Sequence, residues 1–330
     1  MVGIVSAGRR LGLMTAVVVV PLAMTTPVLA AVPAVPSYRV IDLGTLPGTS
    51  DSTAFGINER GDIVGISGDR AVLWRGGRVV DLAASTGSAG AATDVNEQGD
   101  VVGAVQVAGT NQAFLWQRGR MTMLPPLPGD QGSGATAVND RGEVVGYSDE
   151  IVRRPVLWRS GGRPVDLTGT GMFEVTGLDN SGRLIGTGPG PTDQGAVPVL
   201  WAGGRTTTLT VRPGTASAVN DRGEVAGYVY VGFGPSFVWR HGELTDIPLL
   251  PGLPDMMMMQ AHAINNRGQV VGDAGYESFL WHDGTLSVLP HLYGHGPTAN
   301  DINDRGQIVG SIGTSPDNLR PHAVLLTPTR

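Results

Sequence analysis

Apolar and polar positions alternate along this chain in short stretches, each bounded by glycine, asparagine or proline turn signals. In one full period, residues 52–57, 62–67, 71–74 and 78–82 each read as a strand, labelled A to D below. The period is set by a nine-residue stretch, seen last as Ile302-Asn303-Asp304-Arg305-Gly306-Gln307-Ile308-Val309-Gly310. It also occurs at residues 57–65, 95–103, 138–146, 178–186, 219–227 and 264–272, so successive copies start 38, 43, 40, 41, 45 and 38 residues apart. Self-similarity at about 40 residues predicts an array, solenoid or propeller, and four short strands per repeat predict a propeller blade. The expected fold is an all-β, seven-bladed β-propeller of four-stranded blades.

Each nine-residue copy predicts the hairpin between strands A and B. Asn, replaced by Asp179 in the fourth copy, starts the turn because its side chain bonds to backbone two residues on. Three residues later a glycine, Gly61 in the first copy, suits the left-handed residue that follows a type I turn. A second glycine, Gly65 in the first copy, marks the close approach of another backbone. The oxygen-rich turns also invite a calcium-loop reading. Arg60, Arg141, Arg222, Arg267 and Arg305 argue against it, because each places a cation where such a loop wants an oxygen ligand.

Two rows of residues set the strand order. Four residues before the turn Asn stand Ala54, Ala92, Ala135, Val175, Ala216, Ala261 and Ala299; two before it stand Gly56, Asp94, Ala137, Gly177, Ala218, Ala263 and Asp301. Residues two apart share a face of a strand, so this pattern predicts one small-residue face crowding the central axis and makes strand A innermost. All six tryptophans, Trp74, Trp116, Trp158, Trp201, Trp239 and Trp281, end strand C and are expected to wedge between blades. The seventh repeat has Leu326 there and stops after strand C. The spare strand at residues 38–43 is expected to supply its strand D, closing the ring and leaving no long edge.

The ends of the chain add a targeting signal. Arg9 and Arg10 precede an apolar run that ends in Val28-Leu29-Ala30, which reads as a secretory signal peptide over residues 1–30. A Pro- and Ala-rich spacer follows at 31–37, then the propeller at 38–330. After signal cleavage no stable membrane span is expected. The formal charge is −6, and there is no lysine or cysteine. The first excludes phosphate-backbone binding as a leading function; the second leaves no disulfide framework, thiolate metal site or cysteine nucleophile.

The run Ile-Asn-Asp-Arg-Gly-Gln-Ile-Val-Gly, followed in each unit by elements such as Ala113-Phe114-Leu115-Trp116 and Leu127-Pro128-Gly129, resembles the HAF-repeat family of extracellular repeat proteins. His322-Ala323-Val324 and Gln112-Ala113-Phe114 are the nearest matches to that family's His-Ala-Phe triplet, while Glu277-Ser278-Phe279 and Arg154-Pro155-Val156 depart from it. The resemblance covers residues 38–330 and implies secretion or surface exposure. It supplies no catalytic residues.

Chemistry is therefore sought in the connections. Turns A–B and C–D are short and nearly uniform, whereas the separation between the strand-B glycine and the strand-C Trp position varies: 9, 13, 12, 15, 12, 9 and 16 residues. Variable loops on a rigid scaffold are where binding residues concentrate. The candidate ligand-binding set is Tyr230, Phe233, Tyr276, His262, His291, Tyr293 and His295, with Met256–Met259 as an adaptable apolar run beside it. His291 and His295 are four apart on a loop without a third ligand, so no metal, cofactor or catalytic residue is assigned. A row of Phe55, Thr93, Thr136, Thr176, Ser217, His262 and Asn300 runs along strand A without an acid–base pair. The expected function is a secreted or cell-surface binding scaffold, monomeric, for an extracellular glycan or protein. The alternative is a secreted propeller hydrolase or lyase acting on glycans.

Overall fold

The structure, a computed structural model, describes residues 37–149, 153–159, 162–191, 195–230, 234–250, 258–291, 297–313 and 320–329. The expected signal peptide and all of the spacer except its last residue lie outside them. Seven four-stranded antiparallel sheets stand in a ring, each made of consecutive hairpins. Blade one is Ser52–Ile57, Ile63–Ser67, Arg70–Arg75 and Arg78–Asp81, in that order from the centre outward. The first strand of each blade packs on that of the next, and blade seven's packs on blade one's, which places strand A innermost. In blade seven, Asp301–Ile302, Ile308–Gly313 and Pro321–Pro328 are completed by Tyr38–Asp42, paired from Tyr38↔Pro328 to Asp42↔Val324. The N-terminal strand thus closes the ring. Among the described residues no helix is long and apolar enough to cross a membrane.

The turn is built as the sequence predicts. In the first copy Asn58 O accepts from Gly61 N (3.1 Å), while Asn58 Oδ1 accepts from Arg60 N (3.0 Å) and Asp62 N (2.9 Å). Gly61 has φ +82°, the left-handed region where a side chain is strained. At Gly65 a Cβ atom would run into the backbone carbonyl of Thr53 on the paired inner strand, so the second glycine is needed for packing.

The apolar core lies between blades. Leu73 and Leu82 of blade one, for example, pack with Val95, Phe114 and Trp116 of blade two. Trp158 is almost fully buried against the preceding blade and donates its indole N–H to Pro125 O at 2.7 Å. The tryptophans are wedges.

One expectation is corrected. Six of the inner strands carry a β-bulge in the middle, in blade one between Ala54 and Gly56. Ala54 pairs with Gly65 and Gly56 with the adjacent Val64, so the extra residue puts the two small rows on opposite faces. Ala92, Ala135 and Ala216 face the preceding blade, whereas Ala137, Ala218 and Ala263 face the following one. Both rows are small because the inner strand is gripped on both sides.

Candidate functional site

The two ends of the propeller differ in how the sequence is used. At the A–B end, the nine-residue motif is spent on bonds between blades. Asn58 Nδ2 donates to Asn96 O (2.9 Å), Asn96 Nδ2 to Asn139 O (3.0 Å) and Asn139 Nδ2 to Asp179 O (3.1 Å). After a break at Asp179 the chain of bonds resumes from Asn220 to Asn265 O, from Asn265 to Asn303 O and from Asn303 back to Asn58 O. The next residue in each turn makes a second ring without a break. Each backbone N–H at Glu59, Glu97, Asp140, Asn180, Asp221, Asn266 and Asp304 donates to the side chain at the same position of the following blade. These two rings line the axial mouth.

The break at Asp179 is compensated within its own turn. In the other six copies the Asn amide also donates to an acidic or Gln side chain four residues on, as Asn139 does to Glu143 (2.9 Å). Blade four reverses the polarity: Asp179 accepts from Arg183 Nε in a buried ion pair. Arg183 Nη2 then reaches Asp221 O of blade five at 2.9 Å, in place of the missing amide bond.

Bulge residues, and Asn300 beside the inner strand of blade seven, make a third set of clasps. Thr93, Thr136 and Thr176 hydroxyls donate to the Ala135, Val175 and Ala216 carbonyls of the next blade, and Asn300 Nδ2 donates to Ala54 O. His262 Nδ1 lies 3.1 Å from Ala299 O and 3.7 Å from Asp273. His262, a candidate ligand residue on sequence, therefore has a place in the blade six to seven junction. The hydroxyl-rich row is a seam between blades.

Two carboxylates interrupt the small row on the inner strands. Asp301 accepts from Ile302 N and from Ile57 N of blade one (2.8 Å each); Asp94 does the same for Val95 and Val138 N. Burial, opposed by these N–H bonds and reinforced by Asp94, pushes Asp301 up to about 7, and burial also raises Asp94. An acid raised on folding stabilises most when both states are protonated. That contribution is present below about pH 4 and is lost as pH rises to about 7, by up to about 1.4 kcal/mol per unit. Urea unfolding of the wild type and Asp301→Asn should show it: the wild type falls more steeply between pH 5 and 7. Parallel profiles would refute this assignment.

The opposite end carries the variable connections. Tyr230 follows strand B of blade five and is 45% exposed, and its ring meets Tyr228 edge to face at 5.5 Å. Tyr276 occupies the B–C turn of blade six and is 79% exposed. Beside it His291 Nε2 contacts the Glu277 carboxylate. Phe233, Tyr293 and His295 lie outside the described residues, as do Met256 and Met257. Met259, expected in the adaptable run, is fully buried in the core with Phe279 and Trp281.

The structure adds a recess between blades three and four that sequence reading did not isolate. About 350 Å³ in volume, it is lined by Tyr147, Arg153, Arg154, Phe173, Glu174 and Thr187, among others. Phe173 carries no repeat signal, because it enters from a connection of variable length, and Glu174 opens the inner strand Glu174–Leu178. Among the described residues no group of three or more His, Asp or Glu side chains is placed to hold a metal ion.

No protein-family model matches the chain, and no curated sequence matches it either. Solved structures do. Similar folds include a streptogramin B lyase (TM-score 0.57, 13% identity, 88% of this chain and 98% of that one) and the RRP9 WD40 repeats (0.59, 14%, 90% and 99%). A third is YCF48 bound to D1 peptide (0.54, 16%, 90% and 100%). Enzymes and non-enzymes stand side by side in this set, so the likeness is one of architecture: the chain is a seven-bladed β-propeller.

Proposed function

We propose that this protein is a secreted or cell-surface binding scaffold that presents the face of its B–C and D–A connections to an extracellular ligand. One observation carries the reading. The repeated polar residues are consumed in clasps between blades, whereas the exposed aromatics Tyr230, Tyr276 and Phe173 on the opposite end serve no core. The resemblance to HAF-repeat proteins and the signal-like N-terminus support the extracellular placement. The candidate residues Tyr230, Phe233, Tyr276, His262, His291, Tyr293 and His295 belong to this proposal, with His262 at the inner strand and Tyr230, Tyr276 and His291 on the connections.

The test is a glycan and extracellular-protein array probed with the mature chain, followed by single substitutions. Tyr230→Ala, Tyr276→Ala or Tyr293→Ala should weaken capture, each by about 1–2 kcal/mol where the ring is an anchor. Arg78→Ala, in a C–D turn, should not. A ligand lost with Arg78→Ala and kept by all three tyrosine variants would overturn the assignment of the face.

A further inference from the structure

The two ends of the propeller also differ in charge. Arginines concentrate in the A–B and C–D turns, as at Arg60, Arg78, Arg118, Arg141, Arg222 and Arg305. The connections at the other end are rich in carboxylates, and several of these are already paired within the fold. Asp81 meets Arg70, Asp130 and Asp166 meet Arg154, and Asp246 meets Arg212. Glu174 is different: it is exposed, opens onto the recess between blades three and four, and among the described residues has no ion pair or side-chain hydrogen bond.

The surroundings of Glu174 are aromatic. Phe173, 57% exposed, lines the same recess. Tyr147 lies across the inner strand, so close that a Cβ atom on Gly134 would sit 2.5 Å from its ring. From blade five, Tyr228 and Tyr230 approach closely enough that, after burial, the charge of Glu174 helps to raise both phenols. The protein itself shows what such a surface takes. The Arg153 guanidinium lies 4.2 Å from the centre of the Tyr147 ring, while its bond to Asp149 is loose at 3.7 Å. An aromatic face attracts a cation through its quadrupole, and a carboxylate beside it adds direct charge pairing.

We propose, resting on the binding-face reading above, that this recess receives an arginine or lysine side chain of a basic polypeptide partner. The incoming cation pairs with Glu174 and lies on Phe173, next to the position that Arg153 fills on Tyr147. Of the three charged lining residues, Arg153 is held by Asp149 and Arg154 by Asp130 and Asp166. That leaves the Glu174 carboxylate to attract a basic chain and makes binding sensitive to salt.

The experiment is fluorescence polarisation with a labelled Gly-Arg repeat peptide of about eight residues, and with the matching Gly-Gln peptide, on the mature chain. The Arg peptide should bind and the Gln peptide should not. Glu174→Gln and Phe173→Ala, both exposed and expected to melt like wild type, should each weaken binding about tenfold. Asp69→Asn, exposed in the B–C turn of blade one, should leave it unchanged. Unaltered binding by Glu174→Gln overturns the proposal, as does an equal loss with Asp69→Asn, which would mean diffuse charge attraction. If wild type ignores the Arg peptide while the array yields a ligand sensitive to Tyr230→Ala or Tyr276→Ala, this recess assignment fails and the binding face stands.

Discussion

Deleting residues 31–44 should lower the melting temperature by on the order of 10 °C and expose the protein to aggregation. The deletion takes the outer strand from blade seven, where five residues pair with Pro321–Pro328 and Leu43 N donates to Ala323 O at 2.9 Å. Tyr38 and Val40 leave the core between blades six and seven, and Leu43 leaves the one between blades seven and one. Three part-buried apolar side chains at about 1–1.5 kcal/mol each, half the value for full burial, amount to about 4 kcal/mol before the lost strand pairing is counted. The remaining strand becomes an unpaired edge, the kind of template that recruits another chain. A truncated protein that melts with the intact one and stays monomeric would show that closure by the N-terminal strand contributes nothing.

Strand order, innermost strand, tryptophan wedges and ring closure were all legible in the sequence, because each is repeated at a fixed place in the period. The bulge was not. It shifts the pairing by one residue between Ala54 and Gly56, and nothing in a row of alanines and glycines marks where a strand stops alternating. Nor was the reach of the turn asparagines legible. A repeat shows that Asn58 suits its own turn, but its bond to Asn96 O exists only once two copies are set side by side. Asp94 and Asp301 looked like exceptions in a small row; their function depends on backbone N–H groups that the neighbouring blade turns towards them.

For the proposed site the sequence anticipated which connections carry Tyr230 and Tyr276 better than what surrounds them. Tyr230 and Tyr276 are exposed on connections of the variable end, where the unequal loop lengths put them. Glu174 and Phe173 went unnoticed because the recess they line is shared with Tyr147 and Arg153 of another blade. One signal had been available and unused: the fourth repeat departs from the others at two positions four residues apart, Asp179 and Arg183, and the two departures have opposite charge.

That paired departure gives the second large prediction and the most direct test of the central claim, that the motif's polar residues clasp blade to blade. Arg183→Glu places a second carboxylate against the fully buried Asp179 side chain, which should cost about 3–5 kcal/mol, as for a broken buried pair. Asp179→Asn alone turns an amide towards Arg183 and should cost about 1–3 kcal/mol, the range for an unsatisfied buried group. The double variant recreates the arrangement of Asn139 and Glu143, whose amide donates both to the glutamate and to the next blade. The measurement is a double-mutant cycle by urea unfolding. The account predicts that the double variant returns to within about 1 kcal/mol of wild type, a coupling of at least about 3 kcal/mol. Additive losses, with the double variant the least stable of the four proteins, would contradict it.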